Sequence, residues 1–253
     1  MPYRTLSLEI NGPIAYVRLA QAQIDRTLLE ELDEVCDAIN DNADARVAVL
    51  TGHGDAFSTG WDAAELSPGA FDAEEWRRRP SPFACLETMG QPVICALNGD
   101  ATSAGLELAL ACDVRIAVEG ARFSLPETGQ GLLPMAGGTQ RLARLAGRGE
   151  ALRMLLLGET IDAQEALRIG LVSAVAPREK LLAEAGALAS RMAARGPLAL
   201  RYAKEAVRRG LEQPLDQALR FETDLTVILQ TTGDRDEGVR AFLDKRDPKF
   251  KGK

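Results

Sequence analysis

Two carboxylates and three turns rich in small residues carry the reactive groups of this chain. Ser103-Ala104-Gly105-Leu106-Glu107 follows a strand and a turn and opens a helix. Small side chains admit a ligand close to the backbone. The first N–H groups of a helix lack an intrahelical partner and sit at the positive end of its dipole. A free N–H there stabilises negative charge developing on an oxygen, although small residues at a helix start are also common packing devices. Glu107 lies in the first turn of an otherwise apolar helix, with Leu on either side. It is either a helix-dipole carboxylate facing solvent or a buried group whose cost demands a functional role. The run itself does not separate the two.

Glu127 follows Phe123-Ser124-Leu125-Pro126 and precedes Thr128-Gly129-Gln130-Gly131. Strand ends are where α/β folds place their ligands, but by itself the segment reads as a plain turn carboxylate. Phe57-Ser58-Thr59-Gly60-Trp61-Asp62 also follows a strand end and offers a second free N–H, with Trp61 a packing residue in the alternative. Pro134-Met135-Ala136-Gly137-Gly138-Thr139 opens another helix, where Gly137-Gly138 equally suits a packing turn. Taken together, two helix-start N–H groups would hold an oxygen and two carboxylates would handle a water. The residue types permit this site without selecting it.

These groups need elements to position them. Thr5 to Ile10 alternates, Asn11-Gly12 marks a tight turn, and Ile14 to Leu19 follows, which predicts a hairpin. Leu28, Leu29, Leu32, Val35, Cys36 and Ile39 keep helical spacing. Val47 to Leu50 and Pro92 to Leu97 read as buried strands, with further strands at Val114 to Val118 and Arg122 to Leu125. Residues 67–82 are rich in Pro, Gly and charge and predict an irregular segment, followed by a helix to Met89. Strands alternating with helices indicate an α/β fold with largely parallel pairing. Residues 179–245 read as helices broken at Gly196-Pro197, Gly210 and Gly233, which divides the chain into an α/β core over 1–196 and a helical part over 197–253.

The 253 residues suit one large domain with a helical appendage, and 46% hydrophobic and 26% charged residues are ordinary for a globular protein. A net charge of −7 argues against nucleic acid as a partner, and Arg77-Arg78-Arg79 reads as a solvated face or a contact for a small polyanion. Cys36, Cys85, Cys95 and Cys112 form no C-x-x-C pair and read as reduced thiols in a cytoplasmic protein. The single histidine, His53, cannot make a His-based metal site alone and reads as a loop residue. No metal or redox cofactor is indicated. The N-terminus shows no secretory signal, and no apolar run suits a membrane span.

Against this background the chain resembles the enoyl-CoA hydratase/isomerase (crotonase) family from about Val47 to its end. The resemblance rests on Pro92-Val93-Ile94-Cys95-Ala96-Leu97-Asn98-Gly99, Glu107-Leu108-Ala109, Cys112-Asp113 and Phe123 to Glu127. It continues through Gly131-Leu132-Leu133-Pro134, Gly137-Gly138-Thr139-Gln140-Arg141-Leu142, Gly158, Ala163, Glu165-Ala166 and Gly170-Leu171-Val172. It implies a spiral of ββα units with a helical C-terminal part used in trimer formation, and trimers or hexamers as the assembly. It implies that the backbone N–H groups of Trp61 and Ala104 form an oxyanion hole for a coenzyme A thioester. Glu107 and Glu127 fall on the catalytic glutamates of hydratases: Glu107 would take a proton from water and Glu127 would protonate Cα. Thr59, Gly60, Asp62, Gly105, Met135 and Lys245 fall on substrate-binding or coenzyme-binding positions, coenzyme A being part of the substrate rather than a cofactor.

Four departures qualify the resemblance. Ser103-Ala104-Gly105 replaces a glycine triplet, which should narrow the acyl channel. Trp61 replaces a small residue, in a Gly-Trp-Asp form similar to carnitinyl-CoA dehydratases. Met135 stands where many relatives have glycine, and the segment from Ala20 to Arg26 lacks a basic pattern that helps hold the nucleotide. Keeping both glutamates favours a hydratase or dehydratase, a carbon–oxygen lyase, over an isomerase, another lyase, a thioester hydrolase or a protein that only binds acyl-CoA. The segment from Ser67 to Phe83 would line the acyl pocket, with Phe71, Trp76 and Phe83 as its aromatic residues.

Overall fold

The computed structural model describes residues 3–67, 69, 72–78 and 81–253. Phe71 and Arg79, which the sequence offers as pocket and coenzyme contacts, lie outside the described residues. The strands are β1 (Leu6–Asn11), β2 (Ile14–Leu19), β3 (Gln23–Ile24), β4 (Val47–Thr51), β5 (Gly60–Trp61), β6 (Val93–Leu97), β7 (Ala101–Thr102), β8 (Val114–Val118), β9 (Arg122–Ser124), β10 (Ile161–Asp162) and β11 (Ala174–Ala176). The α-helices are α1 (Arg26–Asp41), α2 (Ala73–Arg78), α3 (Ala84–Thr88), α4 (Ala104–Leu110), α5 (Gly138–Ala146), α6 (Arg148–Leu157), α7 (Ala163–Arg168), α8 (Leu181–Ala193), α9 (Pro197–Gly210), α10 (Leu215–Gln230) and α11 (Gly233–Leu243).

The main sheet runs β1-β2-β4-β6-β8-β11. β1 and β2 form the expected antiparallel hairpin, with Leu6 opposite Leu19 and Asn11 opposite Ile14. Every pairing from β2 onward is parallel. Parallel strands covered on both faces read as continuous apolar runs, and all five residues of β4 and of β6 are buried. α1 buries the six residues whose spacing predicts its inner face, and the Asp25 carboxylate caps it by accepting from the Leu28 N–H at 2.8 Å.

Two small sheets, β10-β9-β7 and β3-β5, sit beyond the ends of the main strands in the chain order and carry the loops with the reactive groups. The connection from β4 toward β5 is tied down by Asn98. Its side chain accepts from the Gly52 N–H at 2.9 Å and donates to the carbonyls of Gly54 and Ala56 at 3.0 Å. Gly99 is required there, because a Cβ at that position would stand 1.9 Å from the Asp55 carbonyl oxygen.

The structure corrects two local expectations. The segment expected to be irregular contains the helical turn α2. The last helix break is not at Gly233, which is the first residue of α11, but just before it, where the Thr232 side chain caps that helix. In the C-terminal part, α8 buries Leu181, Ala185, Ala189 and Ala193, whereas α9 buries no residue and α10 only Leu225. Leu215 and Phe242 stay 74% and 83% exposed. Among the described residues, no helix is long and apolar enough to cross a membrane.

Candidate active site

The start of α4 is the geometric centre of the site. Ser103 precedes it with φ 55° and ψ −132°, a conformation that favours glycine. This twist brings Ser103 against the β5 turn, so that a Cβ at Gly60 would lie 2.6 Å from the Ser103 Cβ. Two residues later Gly105 lies against Ser58, where an added Cβ would stand 2.6 Å from both the Ser58 Cβ and its carbonyl oxygen. The two turns are stitched further by the Thr102 N–H, which donates to the Ser58 carbonyl at 3.0 Å. Among the described residues, no protein acceptor takes the N–H of Ala104, the first residue of α4. Trp61, in the facing turn, is largely buried and meets Trp76 edge to face, with ring centroids 5.5 Å apart.

Glu107 is fully buried one turn into α4, which removes the solvent-facing alternative. Its Oε1 accepts from the N–H groups of Ala136 at 2.8 Å and Gly138 at 2.7 Å. Gly137, between them, adopts φ 102°, the left-handed turn that aims both N–H groups at one oxygen. Burial nevertheless raises the Glu107 carboxyl to about 7. The two N–H groups oppose that rise, the Glu127 charge adds to it, and the Arg141 guanidinium opposes it. Glu127 is 5% exposed and opens a 3-10 turn over Glu127–Gln130, separated from β9 by Leu125 and Pro126. Neither of its oxygens, nor Oε2 of Glu107, is reached by a protein donor among the described residues. Buried polar atoms are nearly always hydrogen-bonded, so three such oxygens on two carboxylates mark a place for an exchangeable partner such as water. The arrangement thus combines a carboxylate poised near neutrality, a second buried carboxylate, and a free helix-start N–H.

Thr59 and Gly60 sit on the turn facing α4, where the Thr59 N–H donates to the Ala22 carbonyl at 2.9 Å. Asp62 caps the following turn through the Ala64 N–H at 2.8 Å, and Met135 packs half-buried against the core beside Ala136. Lys245 stands apart from them, exposed after α11 with φ 55°. Phe83 is fully buried in the core. No group of three or more His, Cys, Asp or Glu side chains that could hold a metal ion occurs among the described residues.

Sequence reasoning did not find the parts that hold Glu107. The Ala136 and Gly138 N–H donors lie 29 and 31 positions from it. Arg141 binds Glu87 through a two-pronged contact at 2.6 and 2.9 Å, donates to the Ser81 hydroxyl at 2.6 Å, and also donates to the Ala136 carbonyl. Only the Gly137-Gly138 pair signalled an unusual turn there.

A family model described as enoyl-CoA hydratase/isomerase matches residues 9–253. The 2,3-dehydroadipyl-CoA hydratase of Escherichia coli K12 is 43% identical over 250 residues, spanning 99% of this chain and 96% of that protein. The crotonyl-CoA hydratase of Syntrophomonas wolfei is 38% identical over 257 residues, spanning 99% of each. The crystal structure of the enoyl-CoA hydratase from Bacillus anthracis matches with a TM-score of 0.92 at 38% identity, covering 99% of this chain and 100% of that one. The crotonase fold implied by the sequence motifs is therefore the fold described above. The chain belongs to the enoyl-CoA hydratase/isomerase family.

Proposed function

We propose that this chain is an enoyl-CoA hydratase, adding water across the α,β double bond of an acyl-CoA thioester or removing it in reverse. The observation that carries the reading is the pair of buried glutamates, Glu107 and Glu127, with three oxygens that no protein donor reaches among the described residues. Water attacks Cβ as it gives a proton to Glu107, whose carboxyl near 7 suits a general base. Electron density moves from the double bond onto the thioester oxygen, where the Trp61 and Ala104 N–H groups stabilise it. The enolate collapses as Glu127 delivers a proton to Cα. Turnover leaves the proton on Glu107 and Glu127 ionised, and proton exchange with water returns both to their starting states.

Thr59, Gly60, Asp62, Gly105 and Met135 border the acyl group and thioester in this reading. The Trp61–Trp76 pair narrows the acyl side and favours short or slender chains. The apolar faces left open on α9 and α10, with Leu215 and Phe242, support assembly into a trimer or a pair of trimers, in which Lys245 reaches the coenzyme of a neighbouring copy. The four free cysteines suit a reducing cytoplasm.

Incubation with crotonyl-CoA followed by mass analysis tests the reading. Hydration adds the mass of one water and keeps the thioester. Release of free coenzyme A, or a product of unchanged mass, would replace hydration with hydrolysis or isomerisation.

A further inference from the structure

The residues around Arg141 form a connected device that neither substrate binding nor the acid–base pair accounts for. Arg141, on α5, is 13% exposed and Glu87, on α3, is 30% exposed. The guanidinium presents donors in a rigid fork that matches a carboxylate. Here Nε and Nη2 grip Glu87, Nη2 also reaches Ser81, and Nη1 holds the Ala136 carbonyl. The Ala136 backbone is thus held on both sides, its carbonyl by Arg141 and its N–H by Glu107 Oε1. Gly137 makes room for this contact, since a Cβ there would stand 2.2 Å from Arg141 Nη1.

The charged surroundings of Glu107 are few. The segment after β9 brings Glu127 and α5 brings Arg141. β3, β5 and β7 also pack against α4 and their residues Gln23–Ile24, Gly60–Trp61 and Ala101–Thr102 bring no titratable side chain, while β8 brings the buried Arg115, whose Nη1 donates to the Ala109 carbonyl at 3.4 Å near the other end of the helix. α4 itself carries no other charge.

We propose that Arg141, gripped by Glu87, is a positioning residue: by locking the Ala136 backbone it keeps two N–H groups on one oxygen of Glu107 and leaves the other oxygen free for the proton it exchanges. The proposal rests on the reading of Glu107 as an acid–base group. Its consequence is that the pH range of the enzyme is set partly from α3, with Arg141 and Ala136 standing between Glu87 and Glu107. Loosening the grip weakens the N–H bonds that favour ionised Glu107. The ionisation of Glu107 then moves to higher pH, even when the positive charge at position 141 is kept.

The test is an infrared pH titration of the protonated-carboxyl band that Glu107→Gln removes, run on the wild type and Arg141→Lys, with kcat and KM for crotonyl-CoA measured over the same pH range. The expected result is a band midpoint displaced upward in Arg141→Lys and a kcat lowered about 10–100-fold with KM little changed. Glu87→Asp, which keeps every charge and shortens the grip, should move the midpoint in the same direction and serves if Arg141→Lys does not fold. An unmoved midpoint in a folded variant overturns the proposal whatever the activity does. Wild-type turnover in Glu107→Gln would instead overturn the acid–base role of Glu107, so the two failures are told apart.

Discussion

Replacing Glu107 by Gln should make the protein more stable while disabling it. The wild-type carboxyl is raised from its ordinary 4.5 to about 7, with burial the chief cause. In the unfolded chain it ionises near 4.5. Below that pH both states hold the proton and the effect vanishes. Between 4.5 and about 7 the unfolded chain releases the proton while the folded one keeps it, so stability falls as pH rises. Above 7 the cost is constant. Each pH unit of displacement is worth ~1.4 kcal/mol, which sets the full cost at about 3 kcal/mol. Gln fills the same volume, and its carbonyl oxygen accepts from the Ala136 and Gly138 N–H groups without a charge to bury. At pH 8 the variant should therefore unfold at a temperature roughly 6–12 °C above wild type, since ~1 kcal/mol moves a domain of this size by about 2–4 °C. At pH 4.5 the gain should be close to zero. The assay is paired thermal unfolding across this range at one protein concentration, because assembly also contributes to the transition. A Glu107→Gln difference that does not change between pH 4.5 and 8 would refute the argument that burial strains this carboxylate.

Two further substitutions probe the framework. Gly105→Ala places a methyl 2.6 Å from the Ser58 carbonyl oxygen, so the turns on either side of the thioester must part; kcat for crotonyl-CoA should fall about 10²-fold, and unchanged kinetics would show that the close approach is not needed. Ser103→Gly removes a side chain from φ 55° and ψ −132°, and the strain relieved, less the entropy glycine adds to the unfolded chain, should stabilise by roughly 1 kcal/mol in denaturant unfolding, whereas a loss of stability would contradict it.

The sequence foretold the elements that long periodic runs specify: the hairpin, the inner face of α1, the buried β4 and β6, and the start of α4. Glu107 was legible as a residue out of keeping with its apolar neighbours, but its burial was not, because a first-turn carboxylate is also a normal surface feature. Glu127 read as a turn residue that could share a water with Glu107, and only the family motif selected that pairing. The clamp through Arg141, Glu87 and Ser81 was invisible, since its contacts join positions 54 and 60 apart that share no local pattern. The β3–β5 ladder, two residues on each side, is too short to show alternation. α2 was hidden because its surroundings are rich in Pro, Gly and charge while the helix itself is only six residues long.

The acid–base pair is the centre of this account, and turnover of crotonyl-CoA by Glu127→Gln beside the wild type tests it most directly. A folded variant that still binds acyl-CoA should lose about 10²–10⁴-fold in kcat; a variant that hydrates at close to the wild-type rate would contradict the account.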